Sequence, residues 1–298
     1  MAGTIAGCRD VGNAARDAGA EASATSVSVS ASATSTRVTG ASAASTSGIA
    51  AGRAPCRIMA GEGGPAASAD TTAWLDLAAK ASFTVRTIET GRELRYEGPG
   101  RVRPCSSDVA LVAEGSAVGL PGSGEAPGVE QWVATACGVA RWASGVHRFS
   151  GARDACKLQS SSGSMNLYLA PDVTAKEIVD GGAPASVDAG AAAAPWRRID
   201  LRQSFLLEGR GPLDSAAATK SALTACERAA ESVQRLEAGM TSPEAGASLG
   251  DLAAESVAAR GIARAACAVA AVRVALAGAK SDDAARLDAA STRWRAPR

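Results

Sequence analysis

Between residues 56 and 178 the chain alternates short runs of β-branched and aliphatic residues with Gly, Pro and Ser. The runs 83–88, 93–96, 109–112, 131–135, 139–142 and 166–169 tend to place apolar side chains at alternate positions, the period of a strand with one face toward a core. Turn formers separate them, as in Glu97-Gly98-Pro99-Gly100. This pattern predicts an antiparallel β-rich domain over residues 52–178.

Beyond it the period changes. Residues 179–195 are rich in Gly, Ala and Pro and read as a linker, and 196–201 as a short extended segment docking back on a domain. Leu223, Cys226, Ala230, Val233 and Leu236 then recur at spacings of three and four, predicting a helix that ends near Gly239. Ser242, Pro243 and Glu244 supply an N-cap, a proline at the first helical position and an acid in the first turn, which restarts a helix. A long Ala-rich helix follows to about Gly278, with Ala259, Ile262, Ala266, Val269 and Ala270 on one side, and Ser281 caps a last short helix ending near Trp294. Residues 196–298 therefore read as an extended segment plus a helical hairpin, and the whole chain as α+β. The small side chains of the two long helices suit packing on each other, and secondarily a partner-binding face.

Residues 1–51 differ again. From about residue 18 they are Ser, Ala and Thr almost without interruption, a composition that cannot bury enough surface to offset chain entropy and that predicts a disordered linker. In front of it, Ile5-Ala6-Gly7-Cys8 resembles a bacterial lipobox, an aliphatic and two small residues before a cysteine. The resemblance implies lipidation of Cys8, a flexible tether after it, and anchoring in the periplasm or at the outer membrane, with membrane contact only through the lipid.

Residues 90–169 resemble the FecR family of bacterial envelope domains. The matching residues are Gly124-Glu125-Ala126-Pro127-Gly128, then Trp132-Val133-Ala134-Thr135-Ala136-Cys137-Gly138-Val139, and more weakly Ser144-Gly145-Val146-His147-Arg148-Phe149. Ala136 stands where the family has Pro. The resemblance implies a repeat of short strands and a sensory, protein-interacting module in signal transduction, with an envelope protein as partner. The cytoplasmic anti-sigma segment often joined to such domains has no counterpart here.

Composition narrows the function further. Of 298 residues 46% are hydrophobic but only 3% aromatic, so the core rests on Val, Leu, Ile and a few anchors such as Trp74, Trp132, Trp142 and Trp196. A net charge of +1 and the lack of a basic stripe interleaved with aromatics argue against nucleic acid. The longest apolar run, 265–279, is broken by Arg273, so no segment reads as a transmembrane helix.

The seven cysteines form no Cys-x-x-Cys pair, which favours disulfides in an oxidising compartment over zinc, the competing reading being small buried hydrophobes. Cys226 and Cys267 lie at nearly equal distances from Gly246, so a hairpin folded there sets them at one height, within reach of a disulfide. With Cys8 set aside for lipid, Cys137 with Cys156 and Cys56 with Cys105 are the favoured remaining pairs among 15 connectivities.

Catalytic constellations are scarce. The chain has one histidine, His147, better suited to packing than to a triad. Gly122-Ser123-Gly124 lacks the spacing of a nucleophile elbow, and the glycine-dense stretch 119–128 lacks the Lys and the helix of a phosphate loop. Glu114, Glu125 and Glu130 are scattered carboxylates of a solvated face. No enzyme activity, metal or cofactor is expected. Trp132 and Trp142 are possible ligand contacts: exposed, they form a platform for peptidoglycan or polysaccharide rings and make the chain a structural module; buried, they anchor the core and favour a protein-binding domain.

Overall fold

The computed structural model describes residues 56–59, 61–88, 91–106, 109–120, 129–178, 185–187, 196–200, 202–241, 249–278 and 281–295. Cys8 and the tether expected over 1–51 lie outside them, as do Glu125 and the Gly122–Gly124 tripeptide. The fold is α+β, with a branched, largely antiparallel sheet followed by three helices.

The sheet is organised by two long strands, β4 (Glu93–Ser106) and β5 (Val109–Leu120), paired from Glu93 opposite Leu120 to Ser106 opposite Val109. Residues 97–100, expected to be a turn, lie inside β4 at a register shift. Gly100 runs against the backbone of Glu114 and Gly115, where a Cβ has no room, and Gly115 itself has φ +98°. The glycines serve a bulge in a continuous strand. On the outer side of β4 pair β2 (Leu75–Leu77) and β3 (Ser82–Thr87), the latter carrying β1 (Cys56–Ile58).

β5 is long enough to serve two partners. Its first part pairs in parallel with β6 (Gln131–Ala134), which leads to β7 (Gly138–Trp142), β10 (Met165–Leu169) and β13 (Trp196–Ile199). Its second part pairs with β8 (Val146–Gly151), which leads to β9 (Ala155–Ser162), β14 (Ser204–Gly209), β11 (Val173–Glu177) and β12 (Ala185–Val187). The β structure thus runs to Gly209 and includes a strand within the stretch 179–195. The two branches face each other: Val133, Ala140 and Leu167 of one meet Phe149, Leu158 and Leu207 of the other.

The first branch is covered on its far side by helix, so β6 is buried at every position. Helix α1 (Ala216–Met240) begins at Ser215, whose side chain accepts a hydrogen bond from the Ala218 N–H, and buries Ala222, Leu223, Cys226, Ala230 and Val233 along one stripe. Helix α2 (Leu249–Leu276) packs on β5, β6 and β7 as well as on α1 and α3, and every position from Ala265 to Ala270 is buried. Its second half, from Ala263 to Val274, is buried on most sides and forms the central rod of the helical layer. Helix α3 (Ser281–Arg295) places Asp282 and Asp283 in its first turn and Arg293 and Arg295 in its last, as the helix dipole favours.

Arg273 fastens this layer to the sheet. Fully buried on α2, its guanidinium donates to both carboxylate oxygens of Asp172, at 2.7 and 2.8 Å, and to the carbonyls of Ala136 and Ala218. One side chain thereby ties the β6–β7 turn, the loop before β11 and the start of α1 to α2.

Candidate functional site

The cysteines mark every layer of the molecule. Cys56 is bonded to Cys105 across β1 and β4, with Cα atoms 6.2 Å apart. Cys137 is bonded to Cys156 across the two sheet branches at 6.1 Å, and Cys226 to Cys267 across α1 and α2 at 4.5 Å. The last separation is near the lower limit for a disulfide, and the alanines around both cysteines, among them Ala222, Ala230, Ala263 and Ala266, allow the helices to approach that closely.

The two candidate ligand tryptophans are core residues. Trp132 is 4% exposed, with Arg141 and Arg264 over its ring at 5.4 and 4.2 Å and Trp196 edge-on at 5.3 Å. Trp142 is 3% exposed, stacked on Phe149 at 5.1 Å and met by His147 at 5.1 Å. Both rings sit as core anchors: filling a three-layered core with few aromatics leaves neither a free face.

His147 is buried, with Nε2 3.2 Å from the Ser144 carbonyl, and burial pulls its pKa down. Nearby, buried Arg92 donates to the carbonyls of Trp142 and Ala143, holding the β7–β8 connection. Glu114 pairs with Arg153 at 2.8 Å and Glu130 with Arg141 at 3.2 Å, so each of these carboxylates is engaged with arginine. Among the described residues no group of three or more His, Cys, Asp or Glu side chains could hold a metal ion.

The feature suited to recognition is a groove of about 500 Å³ between the β4–β5 hairpin and helices α2 and α3. Among the described residues Arg101, Arg103, Arg264 and Arg295 line it together with Asp288, and Asp76 and Asp70 lie beside Arg101 and Arg103. Its floor is made of short apolar side chains, with Leu111 from β5 and Ala268, Ala271 and Val274 from α2. Arg101 is 41% exposed, lies over the Trp74 ring at 5.7 Å and pairs with Asp76 at 3.5 Å. Arg103 donates through Nε to the Thr72 carbonyl; its partial burial pulls the guanidinium pKa down, opposed by the Asp70 charge. Sequence reading missed this groove. Arg101 and Arg103 stand two apart and so share a strand face, but that relation appears only once residues 97–100 are recognised as strand.

No family model matches the chain, and no curated protein matches it. Among solved structures it is similar to two crystal structures described as a "putative anti-sigma factor" from Parabacteroides distasonis ATCC 8503. The first is 11% identical with a TM-score of 0.31, the similarity covering 47% of this chain and 57% of that one. The second is 11% identical with a TM-score of 0.23, covering 47% and 53%. The chain thus spans little more than half the length of these structures, and a likeness so shallow assigns it neither fold nor function.

Proposed function

We propose that the chain is a non-catalytic, extracytoplasmic interaction module of the bacterial envelope, FecR-like in its β domain, anchored through lipid on Cys8 and acting by binding an envelope protein. The observation that carries the reading is the disulfide set: six cysteines form three pairs, one in each part of the fold, as suits a protein matured in an oxidising compartment. The FecR-like pattern adds to it, since residues 132–139 fall on the β6–turn–β7 hairpin and 146–149 on β8. Burial of Trp132 and Trp142 favours a protein partner over peptidoglycan or polysaccharide.

Two measurements test the reading. Expressed from its native locus, the protein is expected in the detergent phase of a Triton X-114 partition and Cys8→Ser in the aqueous phase; equal partitioning of the two removes the lipid anchor. Purified protein is expected to stay in the supernatant when mixed with insoluble peptidoglycan. Cosedimentation would replace the protein-binding reading with the structural, polysaccharide-binding one.

A further inference from the structure

The groove between the β4–β5 hairpin and helices α2 and α3 has a length, a floor and a charge pattern that together specify a ligand. Its lining runs along α2 from Arg264 to Ala275, a rise of about 16 Å at about 1.5 Å per residue, and on past the helix end to Gly278. An extended peptide of six residues covers about 20 Å.

The cations are spread along that length. Arg264 lies over Trp132, whose strand neighbour is Val109, so Arg264 marks the Val109 end of the groove. Arg103 stands opposite Leu111, two residues further along β5, and Arg101 opposite Glu114, further still. A ligand with one charged head and a long apolar tail would be met by cations gathered at one end. Cations repeated along a wall instead match a ligand with repeated anions. Arg101 and Arg103, on one face of β4, are separated by about 6.6 Å along the strand, and an extended acid-x-acid segment presents its carboxylates at the same spacing. The short side chains of the floor leave room for small residues between the acids.

We propose that this groove binds an extended acidic segment of a partner protein, with Asp or Glu at alternate positions and small apolar residues between. The proposal rests on the protein-binding reading above and supplies its docking surface. Arg101 and Arg103 take successive carboxylates, and the Arg264 and Arg295 end of the groove receives the far end of the segment.

Fluorescence polarisation with the intact, oxidised protein tests this, using a labelled peptide of three Glu-Ala repeats and its Gln-Ala counterpart. The glutamate peptide is expected to saturate, to bind about tenfold or more tightly than the glutamine peptide, and to weaken as salt rises from about 50 to 200 mM. Arg101→Glu is expected to weaken it by about tenfold. Ala271→Phe fills the floor and leaves every arginine in place, so it separates the groove from surface charge at large; it is expected to abolish binding, with thermal melting confirming that the variant is folded. Equal affinity for the two peptides, or a folded Ala271→Phe protein that binds like the parent, overturns the proposal. So does tighter binding of hexathymidylate or dodecyl phosphate than of the glutamate peptide. A protein that partitions into detergent yet ignores the glutamate peptide loses this inference alone and keeps its envelope assignment.

Discussion

From Cys56 to Gly209 the core is filled with rings and branched chains, with Phe83 stacked on Tyr96 at 5.0 Å and Trp142 on Phe149 at 5.1 Å. From Ala216 to Arg295 it is filled largely with methyl groups, those of Ala222, Ala230, Ala263, Ala266 and Ala270 among them. Burying a large apolar side chain stabilises a fold by about 1.5–3 kcal/mol, whereas a methyl contributes under about 1 kcal/mol. Each β residue is also held by ladder hydrogen bonds to its neighbours. The helical layer compensates for its thin core with discrete fasteners, the Cys226–Cys267 disulfide and the buried Arg273–Asp172 pair. The contrast teaches where each region is vulnerable: the sheet to changes of volume, the helices to loss of a single link.

Arg273 offers the strongest way to break that contrast. Arg273→Ala leaves the Asp172 carboxylate without its ion partner and the Ala136 carbonyl without this donor, and a loss of about 3–5 kcal/mol is expected in urea unfolding. A loss under about 1 kcal/mol would mean that the sheet holds α2 without it.

Next comes the disulfide. The Cys226→Ala, Cys267→Ala double variant is expected to lose about 2–4 kcal/mol, read from the same unfolding curves. Hydrogen exchange should show the loss concentrated in α1 and α2. The matching Cys137→Ala, Cys156→Ala pair closes a shorter loop, with a separation of 19 residues against 41, inside a well-packed sheet, and should cost less. The reverse order would sink the idea that the helices depend more on their staple.

A volume change tests the sheet from its own side. A Cβ on Gly119 would sit 2.5 Å from the Trp142 ring, so Gly119→Ala is expected to lower stability by about 1–3 kcal/mol, seen as a lower melting temperature. Ala271→Ser on the groove floor should be nearly silent in the same assay, since that side chain opens onto the groove.

Among the expected losses the smallest is that of pH. Burial holds the His147 imidazole below its ordinary pKa, so the folded state binds its proton later than the unfolded chain does. Its contribution to stability is full above about pH 6.5 and declines as pH falls below that value. His147→Gln should flatten the stability profile between about pH 5 and 6.5; an unchanged slope would assign the loss to carboxylates alone.

Periodicity made the helices legible: α1 and α3 end within a residue or two of Gly239 and Trp294, because caps and a three–four spacing are local signals. The strand runs were legible where β-branched residues cluster, as in β3. Other strands were hidden by composition. β9 contains Gln159 and three serines and buries Cys156, Leu158 and Ser160 on alternate positions, an alternation too polar to stand out. β14 and β11 pair across more than 25 residues of sequence, which no local pattern reports. Arg273 did signal itself as a charge inside an apolar run, which a membrane segment would not tolerate but a buried ion pair explains. The groove escaped because its arginines come from three elements brought together only by the fold.

A thiol map of protein recovered from its native cells tests most directly whether this is an extracytoplasmic, disulfide-stapled module. Alkylation before reduction, followed by peptide mass spectrometry, should find Cys56 linked to Cys105, Cys137 to Cys156 and Cys226 to Cys267, with no free thiol among the six. Recovery of these cysteines alkylated and unlinked would place the folded protein in a reducing compartment and contradict the envelope assignment at its base.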